Sequence, residues 1–138
     1  MKQALPSNNM KLLLTITALL EGVTGLGLVI IPSLLISILL GTSLTDPGGI
    51  LICRLAGGAL ITIAIACWFL KNEAQSYLMV KVMLGYNSFC IILLVYAVLV
   101  EKIYGPGLWP VVVLHSALLI WCLSALQKRR HSSEISKL

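Results

Sequence analysis

The sequence predicts an all-α membrane protein, a bundle of four transmembrane helices with a short interfacial helix after the first span. Three observations predict it. The 138 residues are 59% hydrophobic and 11% charged, against roughly 45–50% and 25% in soluble domains. The apolar residues gather into four runs, each near the roughly 20 residues that cross a bilayer. Most charges flank these runs, so the net charge of +5 reads as membrane topology rather than nucleic-acid binding.

Residues 1–10 form a polar tail with Pro6, Asn8 and Asn9. Lys2 and Lys11 precede the first apolar run and resemble the start of a signal peptide. The run continues for a whole span with no small-x-small cleavage pattern, which predicts a retained helix. That span, about 11–31, carries Thr17, Glu21, Thr24 and Gly25 at helical spacing, on one face. Gly22 and Gly25 are small enough to admit a second helix closely. Pro32 ends or kinks the helix. Residues 33–40 (SLLISILL) are apolar but too short to cross, hence the interfacial helix. Asp46-Pro47-Gly48-Gly49 is a turn in which Asp46 is placed to cap the next helix.

The second span, about 49–70, carries Arg54 and then Gly58, Thr62 and Ala66 at intervals of four. This is a small-residue stripe of the kind that packs helices. The third, about 77–100, holds Lys81 one turn in, where it snorkels to the interface, and Tyr86-Asn87 near its middle. The fourth, about 108–126, opens on Leu108-Trp109-Pro110, with proline in the tolerated first turn, and carries His115 and Cys122. Residues 127–138 are a basic tail. Lys2, Lys11, Lys71, Lys128, Arg129 and Arg130 fall at one side and Lys102 at the other. This asymmetry places both termini in the cytoplasm and the protein in the cytoplasmic membrane.

An ionisable group inside a span costs a few kcal/mol or more unless paired, neutralised or hydrated. At about 1.5 Å per residue, Glu21 and Asn87 fall near the midplane, with Arg54 and His115 six or seven residues in from the far side. Glu21, Arg54, Asn87 and His115 therefore form a candidate intramembrane polar cluster, with Glu21 and Arg54 expected to pair. The alternative use of the same cluster is a pocket for a headgroup, small ligand or proton.

No catalytic, cofactor-binding or metal-binding residue is assigned, and no cofactor is implied. Cys53, Cys67, Cys90 and Cys122 all lie in apolar runs without CxxC spacing and read as small hydrophobes. His115 has only His131 as a second histidine. Cys122 is two turns from His115, too far along one helix for a nucleophile and its base.

The blocks EGVTGLGLVIIP, RLAGGALITIAIACWFL, Tyr86-Asn87 and LWPVVVLHSALLIWC span nearly the whole chain. With them the sequence resembles small uncharacterised bacterial four-helix membrane proteins of DoxX-like or DUF4345-like layout. The resemblance implies the fold and places Glu21, Arg54, Asn87 and His115 within recurring blocks. Small multidrug-resistance exporters are similar in helix count and in a first-helix glutamate, but the expected pairing with Arg54 argues against a titrating carboxylate. The function expected is non-enzymatic, an accessory or scaffolding subunit in the lipid bilayer that packs against itself or a larger membrane complex. The alternative is a small transporter or a lipid- or quinone-binding protein.

Overall fold

The computed structural model describes residues 6–135 in backbone and 6–129 in side chain; Lys2, residues 136–138 and the Arg130 side chain lie outside the described residues. Five helices follow one another: α1 (Asn8–Ile30), α2 (Pro32–Leu40), α3 (Pro47–Leu70), α4 (Ser76–Leu99) and α5 (Leu108–Ile135). All but α2 are long and apolar enough to cross a membrane. The basic segment after 126 continues α5 as helix to Ile135.

Local chemistry sets the boundaries. Ser7 caps α1 by accepting from the Met10 amide, which starts the helix three residues before the apolar run begins. Proline disfavours helical backbone at the residue before it. Ile31 accordingly adopts φ −130, ψ 53, and the helix breaks there. α2 then turns aside and lays Leu35 over Gly27. It ends at Gly41, whose φ of +71 is a left-handed C-cap open to glycine at little cost.

Asp46 caps α3 by accepting from the Gly49 amide at 2.7 Å. Removing such a cap costs about 1 kcal/mol. Asp46→Ala should lower the melting temperature of the purified protein in detergent; an unchanged melt would show that α3 is held by packing alone.

α1 packs antiparallel on α3, and α4 on α5; contacts between the two pairs are sparser. The pairs meet in a core at the end where α1 and α4 begin and α3 and α5 run out. Met10, Leu13, Leu14, Cys67, Val80, Met83 and Cys122 are fully buried there. We call this the core end. Trp121 Nε1 donates to Asn9 Oδ1 there at 2.8 Å, tying α5 to the start of α1.

At the opposite end α2 bridges the pairs. Leu40 packs against the buried Val98, Leu108 and Val112 of α4 and α5. The Gly107 amide donates to the Ile38 carbonyl at 2.9 Å. Ser33 Oγ donates to the Leu44 carbonyl at 2.8 Å, holding the following loop.

The outward faces are apolar. Val23, Ile30, Leu55, Phe69, Phe89, Ile92, Val113 and Ile120 are all exposed. Water would not tolerate so much contiguous apolar surface on a monomer, whereas hydrocarbon accepts it. Several hydroxyls within the spans bond back to their own helix, as Thr62 to Gly58, Ser88 to Leu84 and Ser116 to Val112. Such bonds satisfy a donor that lipid cannot.

Candidate functional site

The interior polar groups come from three helices. On α1, Thr17, Glu21 and Gly25 are buried at intervals of four while Thr24 is exposed. Glu21 is 4% exposed. Its Oε2 accepts from the hydroxyl of Tyr86 on α4 at 3.0 Å. Consecutive helical residues point about 100° apart, so Tyr86 reaches α1 while Asn87 faces α5.

Asn87 is fully buried. Its Nδ2 donates to the Met83 carbonyl of its own helix at 2.6 Å. This leaves Oδ1 as the acceptor facing His115 Nδ1 at 2.8 Å, so the imidazole donates from Nδ1. The Tyr86 and His115 rings meet edge to face, with centroids 5.8 Å apart and planes at 74°. The polar groups therefore form a chain, Glu21 to Tyr86 by a hydrogen bond, Tyr86 to His115 by ring contact, and His115 to Asn87 by a second hydrogen bond. Thr17, one turn from Glu21 towards the core end, is buried with a hydroxyl that has no hydrogen-bond partner.

Arg54 stands apart from this chain. It is exposed and lines a hollow with Ile30, Ile31, Pro32, Ser33, Leu34 and Ile50 at the α1–α2 junction. The expected Glu21–Arg54 pair is replaced by the Glu21–Tyr86 hydrogen bond. The reason is helix register. Gly25 lies against Gly57 where α1 and α3 cross. From that level Glu21 lies four residues towards the core end and Arg54 three residues the other way, which separates them by about 10 Å along the axes.

The packing residues divide similarly. A Cβ on Gly25 would come 2.7 Å from the Gly57 carbonyl oxygen, and one on Gly57 would come 2.6 Å from that of Gly25. At Gly22 an added Cβ would lie in ordinary contact with Ala64, 3.6 Å from its Cβ. Gly57, rather than Gly58, is thus the α3 glycine at the crossing. Around Gly58 an added Cβ would meet nothing within 4 Å, and Thr62 is exposed. Ala66 is partly buried against the core.

Tyr86 joins the candidate site although the sequence, which placed it beside Asn87 in the same block, left it outside the polar cluster. The available signal was its place beside Asn87, since a tyrosine hydroxyl at mid-span needs a partner. Among the described residues, no group of three or more His, Cys, Asp or Glu side chains comes together in a way that could hold a metal ion.

Four membrane-length helices around a hydrogen-bonded polar interior define a multi-pass, all-α membrane protein. No protein-family model, curated protein or solved structure matches the chain.

Proposed function

We propose that this chain is a non-enzymatic accessory or scaffolding subunit of the cytoplasmic membrane, packing against a second copy or a larger membrane complex through the outer face of α3. The observation that carries this reading is the outward stripe Arg54–Gly58–Thr62. Its residues are exposed at intervals of four, with open space around Gly58. Small residues let helices associate closely in lipid, where no hydrophobic force drives them together. An outward arginine without an acidic partner among the described residues adds a reason for a neighbour, or for headgroup contact near the span end. The interior adds support, because Glu21, Tyr86, Asn87 and His115 direct their hydrogen bonds within the bundle. Lys11, Lys71 and Arg129 all belong to the core end, which by charge asymmetry is the cytoplasmic one. The DoxX-like layout is part of the same proposal and brings no activity with it.

A second reading, a small proton-coupled transporter, gains from one observation. Glu21 bonds to a hydroxyl instead of an arginine, so the objection from charge pairing no longer applies.

Extraction into native-lipid particles separates the two readings, with Glu21→Gln as the variant. Gln keeps an acceptor for Tyr86 but cannot titrate. A subunit is expected to copurify stoichiometrically with a second copy or another chain, and Glu21→Gln should leave that assembly intact. A lone chain that shows Glu21-dependent proton or substrate flux in proteoliposomes would replace the subunit reading with the transporter.

A further inference from the structure

A second polar site lies at the core end, between α4 and α5, and takes no part in the interior chain. Tyr77, Lys81 and Leu84 of α4 and Leu123, Leu126 and Arg129 of α5 line a hollow of about 580 Å³. Its chemistry is graded along the helices. The leucines lie on the side of the membrane interior, and the two cations lie towards the helix ends. The Arg129 guanidinium stacks on the Tyr77 ring, 4.0 Å from its centroid, and Lys81 Nζ lies 5.4 Å from the same centroid.

Two like charges thus converge on one aromatic ring, a geometry that each tolerates through cation–π attraction but that leaves their charge unbalanced. Among the described residues no carboxylate lies within ion-pair distance of either. Arg129 Nη1 is buried and has no hydrogen-bond partner. A guanidinium N–H held out of water without an acceptor is an incomplete arrangement, and a planar fork of donors beside an ammonium suits a phosphate.

We propose that this hollow is a binding site for an anionic phospholipid, with the phosphodiester held by Arg129 and Lys81 and an acyl chain along Leu84, Leu123 and Leu126. The apolar wall favours a lipid over free phosphate, because a soluble anion would leave the leucine lining unused. Arg129 supplies the directional donors, Lys81 the second charge, and Tyr77 fixes both cations. Ordinary snorkelling explains a cation reaching the interface. It does not explain two cations from two helices sharing one ring over an apolar hollow.

The test uses the full chain purified in a neutral detergent, with lipid retention read by native mass spectrometry and by the rise in melting temperature. Phosphatidylglycerol should bind about thirty-fold more tightly than phosphatidylcholine, the effect of two cations near a headgroup whose phosphate charge is not offset by a choline. The double variant Lys81→Gln/Arg129→Gln should lose that preference. The single variant Lys81→Gln, which leaves the Arg129–Tyr77 stack in place, should lose about five-fold and serves if the double variant does not fold. Lys71→Gln removes a charge at the same end, where Lys71 sits over the Trp68 ring, and should leave the preference intact. Equal retention of the two lipids, an equal loss in Lys71→Gln, or displacement of phosphatidylglycerol by equimolar inorganic phosphate would each overturn the proposal.

Discussion

Gly57→Ala is expected to destabilise the bundle by about 1–3 kcal/mol, the usual cost of forcing atoms into a packed site. The neighbouring Gly58→Ala is expected to be neutral, or to stabilise by up to about 1 kcal/mol through helix propensity. The contrast follows from the crossing of α1 and α3. A Cβ on Gly57 meets the Gly25 carbonyl oxygen at 2.6 Å and Leu28 Cβ at 3.0 Å. The first is backbone and cannot rotate away, so relief requires the two helices to separate along their contact. That would loosen Gly22 from Ala64 and disturb α1 where it carries Glu21. Unfolding of the purified protein in mixed detergent micelles measures both variants. Equal stabilities would mean that α1 and α3 do not cross at Gly25 and Gly57. Gly85, with open space around it, is a suitable second control.

Asn87→Leu is expected to be the other large loss. The substitution keeps approximate volume but strands His115 Nδ1, which has no other partner, while the Met83 carbonyl keeps its helical bonding. Leaving a buried donor unsatisfied costs about 1–3 kcal/mol. Measured couplings inside membrane bundles run lower, averaging about 0.6 kcal/mol with a maximum near 1.7. The double-mutant cycle with His115→Phe separates the hydrogen bond from the packing. The double variant should be less destabilised than the two singles summed, by about 0.5–1.7 kcal/mol. Additive losses would show that Asn87 and His115 contribute independently, and the 2.8 Å contact would then carry no energy of its own.

The helices were legible because each has a local cause. Apolar runs of membrane length, Pro32, Asp46 and Pro110 act within a few residues of themselves. Even α2 was readable from its eight-residue apolar stretch, too short to cross. What one strand of sequence does not carry is the relative height and rotation of two helices. Depth counted from span ends put Arg54 only a few residues outward of Glu21, within reach of its long side chain. That count assumes aligned ends, whereas α3 begins beside α2, beyond the end of α1. Rotation failed in the same way. An interval of four from Arg54 selects Gly58, while the crossing uses Gly57, one residue and about 100° around the helix. Glu21, Asn87 and His115 were found because polar groups stand out in apolar runs. Tyr86 was noted beside Asn87 but left out of the cluster, since a tyrosine counts among the aromatic residues that a span readily contains.

α2 has a mechanical consequence. The two antiparallel pairs share a core at one end, and at the other they are held by a nine-residue helix and one main-chain hydrogen bond from Gly107 to Ile38. Pulling the pairs apart at that end therefore strains α2 and its Gly41 terminus first, while the core end acts as the fulcrum. The Glu21–Tyr86 hydrogen bond joins the two pairs between these ends. Separating the pairs at the α2 end would therefore load the polar interior from a distance, with no contact at the polar groups themselves.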